Sequence, residues 1–136
     1  MKISATFMPK KWDETTYAQD APRTKLTRTL AEFAYSGQLQ GEGAVEYLMF
    51  YSSYDDQDPH KATAEYVGLI RFAGSLHGKS GTFILEDRGA FAATTAKSSL
   101  RILPGSGTGE LAGISGTGTS VATPKSCQID LEARLP

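Results

Sequence analysis

The sequence is short of most features that advertise a chemistry. Cys127 is the only cysteine in 136 residues, which excludes an internal disulfide and any zinc or iron–sulfur site built from several thiolates. No apolar run approaches the roughly 18 residues of a membrane-spanning helix, and Met1 to Phe7 turns polar too early for the core of a signal peptide. Neither sign of charge dominates, since 14 Lys+Arg against 15 Asp+Glu leave a net charge of -1. That excludes both the basic footprint of a nucleic-acid-binding protein and an acidic disordered tail as the main theme. There is one tryptophan, Trp12, and no asparagine. No stretch carries the 3.6-residue period of an amphipathic helix. These absences lead to the expectation of a soluble, cytoplasmic protein of one domain over residues 1–136, with no nucleic-acid or membrane partner and no cofactor. A chain of this length buries roughly two-thirds of its unfolded surface, enough for a core without covalent staples.

What is present reads as strands and turns. Glycine, threonine and serine number 14, 14 and 12, and β-branched and aromatic residues suit a pleated surface. Ile3, Ala5 and Phe7 alternate with Lys2, Ser4 and Thr6, and Cys127, Ile129, Leu131, Ala133 and Leu135 alternate with Gln128, Asp130, Glu132 and Arg134. A period of two puts each apolar set on one face of a half-buried strand. Between these ends the form G-x-L-x-G occurs three times, at residues 37–41, 74–78 and 109–113. The spacing holds two strands and two connections, so the repeats read as equivalent turns of a meander. Eight strands are expected, at about 2–12, 25–36, 42–52, 62–73, 80–91, 96–103, 113–121 and 126–135, with residues 13–24 as a polar connection and 104–112 as a loop. An all-β, eight-stranded antiparallel up-and-down barrel is the simplest closure because it leaves no edge strand. A β-sandwich is the alternative.

Turn positions imply a register. Centring the first G-x-L-x-G on Leu39 pairs Phe33 with Val45 and Ala31 with Tyr47. A hairpin centred between Asp58 and Pro59 pairs Tyr47 with Ile70, Tyr51 with Tyr66, and Glu46 with Arg71. The next turn pairs Ile70 with Phe83. One face then collects Phe33, Tyr35, Val45, Tyr47, Met49, Tyr51, Tyr66, Ile70, Phe72, Phe83 and Leu85, the better interior. Glu32, Glu46, Arg71 and Glu86 fall on the other face with Leu48, Phe50, Val67, Leu69 and Ile84. A slip of one residue would exchange the faces.

Most short motifs have an ordinary explanation. The run Gly105 to Gly109 lacks the Gly-Lys-Ser/Thr ending of a phosphate loop and no helix follows it, so it reads as a loop. Asp56, Asp58 and His60 lack the glycine and distal glutamate of a calcium loop and read as a solvated hairpin tip, with no metal expected. His77 sits in a turn. Cys127 reads as a small buried residue, and Trp12 as packing over one end. Tyr47, Tyr51 and Tyr66 are different, because they bring hydroxyls into an apolar set and a buried phenol needs a partner. An eight-stranded barrel either fills with side chains or holds one small ligand. Tyr47, Tyr51, Tyr66, Phe72 and Phe83 are therefore the candidate ligand-binding residues, and no catalytic residue is assigned.

The segments Gly41 to Met49, Tyr66 to Phe72, Gly74 to Phe83 and Leu103 to Leu111 together resemble the bacterial family known as domain of unknown function 3224, most specifically in Pro-Gly-Ser-Gly-Thr-Gly-Glu-Leu. The resemblance implies an eight-stranded barrel similar to allene oxide cyclase. It implies no activity, and no catalytic motif of the cyclases matches this chain. The functions expected, in order, are binding of a small apolar or aromatic ligand in the lumen, an interaction module with a filled barrel, and an isomerase or cyclase-type enzyme in the same cavity. Strands 42–52 and 62–73, apolar on both faces, further suggest a homo-oligomer.

Overall fold

The computed structural model describes residues 1–136. Eight strands are present: β1 (Lys2–Ala18), β2 (Lys25–Gly37), β3 (Leu39–Ser53), β4 (Thr63–Leu76), β5 (Lys79–Ala92), β6 (Thr95–Ile102), β7 (Ser115–Ala122) and β8 (Cys127–Arg134). Two single turns of 3-10 helix, Pro59–Lys61 and Gly109–Leu111, are the only other regular elements. Each strand pairs antiparallel with the next, and β8 pairs back onto β1 through Lys2–Thr6 and Gln128–Glu132, so one sheet closes on itself. A single continuous hydrogen-bonded order excludes the two-sheet sandwich.

Strand alternation decides which side is the core. Phe33, Tyr35, Val45, Tyr47, Met49, Tyr66, Ile70, Phe72, Phe83 and Leu85 are all buried and Tyr51 is half-buried. The expected face is therefore the inner face. The pairs are nevertheless displaced by two residues: Ala31 opposes Val45, Thr29 opposes Tyr47, Val45 opposes Ile70, Met49 opposes Tyr66, and Phe72 opposes Phe83. A shift of two preserves the face while changing every neighbour. The cause lies in the turns. β4 and β5 are joined by only His77 and Gly78, both at positive φ (50° and 83°), as a two-residue hairpin whose twist matches the strands requires. This displacement also separates Glu46 from Arg71. Glu46 opposes Leu69, Arg71 opposes Ala44, and Glu46 pairs instead with Arg28 on β2.

A second correction concerns residues 13–24. β1 continues to Ala18, paired with β2 from Leu30 down to Leu26. Residues Asp13 to Tyr17 are exposed, so the strand is held by its ladder alone and shows no apolar alternation. A bulge at Lys10, where Pro9 opposes Phe33 and Lys11 opposes Glu32, inserts one residue and reverses the strand's facing. Beyond it Trp12 and Glu14 turn inward.

One end of the closed sheet is filled. Leu39, Leu76 and Leu111, the central residues of the three G-x-L-x-G repeats, are each fully buried there beside Phe72, Phe83 and Ile114. The first two repeats pair directly, with Gly41 opposite Gly74. A Cβ on either would fall 2.1–2.3 Å from a carbonyl oxygen of the other strand, so only glycine fits. The third repeat lies in the β6–β7 connection and is not a hairpin turn. That connection replaces the missing lower half of β6: Ser106 Oγ accepts from the Ile84 N–H, Thr108 Oγ1 from Thr82, and Glu110 Oε1 from Ser80. The Gly105–Gly109 run thus supplies the partners that β5 lacks below Leu85.

The Phe72 and Phe83 rings pack in this plug with centroids 4.9 Å apart, tilted by 37°. Phe72→Ala is expected to cost about 3–5 kcal/mol, read from the midpoint of urea unfolding at unchanged m. A loss below about 1 kcal/mol would mean that the plug is not close-packed.

Candidate functional site

The opposite end is hollow. A cavity of about 670 Å³ opens between the β3–β4 connection, the β5–β6 and β7–β8 turns, and the free upper half of β1. β8 stops pairing with β1 at Thr6, so Trp12 and Glu14 stand at the mouth with no strand beyond them. Tyr47, Tyr51 and Tyr66 line this cavity, but Phe72 and Phe83 do not. Those two phenylalanines are fully buried in the plug below the floor. Strand alternation specifies a face and not a height along the axis of the closed sheet, so residues of one face fall in two layers. Trp12 joins the cavity wall, about half exposed and with its ring 6.2 Å from Tyr47. Cys127, half-buried, lines the cavity too, and burial pushes its thiol up, which disfavours the reactive thiolate.

The polar centre of the cavity is Asp87 on β5, which sequence reasoning had not singled out. Tyr47 Oη donates to Asp87 Oδ2 at 2.6 Å, and Tyr66 Oη and Ser98 Oγ share a hydrogen bond of 2.6 Å. Asp87 is only 3 % exposed, and its Oδ1 has no hydrogen-bond partner. The signal for it was available: Phe83, Leu85 and Asp87 share one parity, and an acid continuing an inward apolar series breaks the expected pattern.

Glycines create the space in which these hydroxyls reach across strands. Tyr47, Gly68 and Asp87 form one cross-strand row over β3, β4 and β5. The Tyr47 ring lies over Gly68, where a Cβ would come within 2.6 Å of the ring. Tyr66, Gly89 and Ser98 repeat the device one row higher, and a Cβ on Gly89 would sit 2.6 Å from Tyr66 Oη. Each tyrosine bridges to a partner two strands away over a residue without a side chain.

Burial dominates the electrostatics. It pushes the Asp87 carboxyl up, against the opposing pull of the Tyr47 and Ser98 hydroxyls. Burial also raises the Tyr47 phenol, with the Asp87 charge adding to the effect, and pushes Tyr66 up to about 12. All these hydroxyls stay protonated donors at neutral pH. Tyr51 is nearer the mouth, where Glu14 Oε2 accepts from its hydroxyl at 2.5 Å and from Thr27 Oγ1 at 2.8 Å. The acids and His60 around the mouth do not gather into a metal-ligating group; Asp58 Oδ1 instead accepts from the His60 N–H and starts a helical turn.

A single closed antiparallel sheet, filled at one end and hollow at the other around a buried acid, defines the class of protein by architecture. The chain belongs to the family described as protein of unknown function (DUF3224), which matches residues 3–132. A crystal structure of a DUF3224 protein of unknown function from Shewanella oneidensis MR-1 is similar in fold, with a TM-score of 0.81 at 23% identity over 100% of this chain and 97% of that one. No curated protein matches.

Asp87 makes stability depend on pH. Its carboxyl is raised from an ordinary 3.8, so above that value the folded chain holds a proton that the unfolded chain has released, and stability falls as pH rises. Asp87→Asn is expected to remove this decline. Its melting temperature should exceed that of the wild type at pH 7, with the gap closing towards pH 4, as followed by circular dichroism. A gap that widens on acidification would show that the carboxylate is net stabilised by its partners.

Proposed function

We propose that the chain is an up-and-down barrel of the allene oxide cyclase-like kind that binds a small apolar or aromatic molecule in its lumen. Tyr47, Tyr51 and Tyr66 form the contact set, and Phe72 and Phe83 the layer that closes the floor. The observation that carries this reading is the one-ended cavity of about 670 Å³. Small-molecule sites span roughly 300–1,000 Å³ and combine apolar walls with a few convergent polar groups. The lumen supplies Phe7, Phe33 and Ile70 as walls and the Tyr47, Tyr66 and Ser98 hydroxyls as convergent groups. A filled interior would have had no reason to keep an open end.

The single tryptophan reports on occupancy. A neutral naphthyl compound is expected to quench or shift Trp12 emission saturably. Ala96→Leu, which adds bulk at a half-buried position of the cavity wall without adding a second tryptophan, should abolish the saturable component while leaving the circular dichroism spectrum intact. Unchanged binding by that variant would move the site out of the lumen.

The outer face supports a second, compatible reading, self-association through β3 and β4. Leu30, Leu48, Phe50, Val67 and Leu69 are between 37 and 52 % exposed there, and residues 13–18 do not cover them because they extend the sheet. Arg28, Arg71, Glu46 and Glu65 border the patch on the same exposed face, a mixture of signs that two copies related by a two-fold axis satisfy reciprocally. Light scattering should give a dimer, converted to monomer by Leu48→Glu with Leu69→Glu. A wild-type monomer at every accessible concentration would exclude this contact.

A further inference from the structure

The lumen's one buried charge-bearing group says what its ligand carries. Asp87 Oδ2 is occupied by the Tyr47 hydroxyl, while Oδ1 has no donor. A buried acceptor left unmet costs free energy; the nearby Ser98 hydroxyl is engaged with Tyr66 Oη, and the cavity that Asp87 lines is where a further donor can enter. Three further observations bear on the sign of that donor. The rings of Tyr47 and Tyr66 meet edge to face at 5.3 Å, with Trp12 against Tyr47 from the mouth, so the surroundings of the acid are aromatic. The mouth carries Glu14, Asp55 and Asp56 against Lys25 and His60 alone. Lys25, moreover, is engaged: its ammonium lies 4.3 Å from the Tyr54 ring centroid and 5.0 Å from that of Tyr51. The rim therefore already holds one ammonium by its aromatic faces, the attraction expected between a cation and a ring quadrupole.

We propose that the cavity selects an organic cation, an apolar or aromatic amine whose ammonium donates to the free Asp87 oxygen while its hydrocarbon body lies among Tyr47, Tyr66 and Trp12. The inference rests on the ligand-binding reading above and adds the charge of the ligand to it. The carboxylate torsion is soft, so either oxygen can turn to the lumen while Tyr47 keeps the other. The ammonium also relieves the cost of ionising Asp87 out of water, since an opposite charge at contact favours the carboxylate. A neutral carbonyl ligand would instead need Asp87 protonated, and would gain nothing from the acidic rim. An anionic ligand would meet Asp87 and three further carboxylates.

The test is a charge series on one ring system, read by Trp12 fluorescence at pH 7: naphthylmethylamine, naphthalenemethanol and naphthoate. The amine is expected to bind at least about tenfold more tightly than the alcohol, the scale of one charge-assisted hydrogen bond, and naphthoate weakest. In Asp87→Asn, with folding verified by circular dichroism, the amine-to-alcohol ratio should fall to about two or less. Equal affinity of amine and alcohol for the wild type overturns the cation assignment while leaving the lumen a binding site, and needs no variant. A ratio that survives Asp87→Asn, or a preference for naphthoate, overturns it as well. Failure of all three probes to bind would overturn the ligand-binding reading itself.

Discussion

Five residue pairs between β1 and β8 hold the rest of the structure in place. Lys2–Thr6 against Gln128–Glu132 turns a meander into a ring, removing both edges and forcing eight inner faces onto one axis. Closure is reinforced by the chain terminus, whose ammonium donates to the Ala133 carbonyl at 2.7 Å. The pairing is also short. β1 continues for twelve residues past its last partner on β8, carried only by β2. The ring is consequently complete at one end and open-sided at the other, and this asymmetry separates plug from cavity.

Each end uses glycine for a different purpose. At the filled end, Gly41 and Gly74 let two strands approach where the hairpin tips meet, and His77 N–H bonds to the Gln38 carbonyl at 2.8 Å across them. At the hollow end, Gly68 and Gly89 leave room above the sheet, which tyrosine rings occupy on their way to Asp87 and Ser98. A polar network is thereby built inside an apolar lumen without interrupting the backbone ladder. Its one unsatisfied atom belongs to Asp87, a residue of the cavity lining. Local departures from satisfied, apolar packing are expected at functional sites rather than in structural cores.

No helix of the chain is long and apolar enough to cross a membrane. Two features distinguish this protein, the interior of the ring and the exposed apolar face of β3 and β4. The two are independent, because alternate residues of the same strands build them: Tyr47 and Met49 face inward while Leu48 and Phe50 face out. Substitution on one face leaves the side chains of the other in place.

Strand number, antiparallel order and inner face were legible in the sequence because they depend on period and punctuation, both local properties of the chain. The alternation of Ile3, Ala5 and Phe7, and the glycines that mark the turns, carry that information residue by residue. The role of residues 13–18 was not legible, since a strand exposed on both faces has no apolar period to betray it. The Glu46–Arg71 pairing failed for a related reason: a hairpin's register depends on which residues form its turn, and moving the turn by one residue moves the pairs by two. The set Tyr47, Tyr51 and Tyr66 could be recognised from parity, whereas Phe72 and Phe83 could not be separated from it, because parity is blind to height along the axis. Asp87 acquires its role only from three strands meeting in one row. Tyr47, Gly68 and Asp87 lie 21 and 19 residues apart in the chain, and nothing local links them. The sequence by itself thus determined which residues face inward. Tertiary closure alone decided which of them share a layer, where the interior stays empty, and which buried oxygen is left waiting for a donor, because those are properties of the closed ring rather than of any strand.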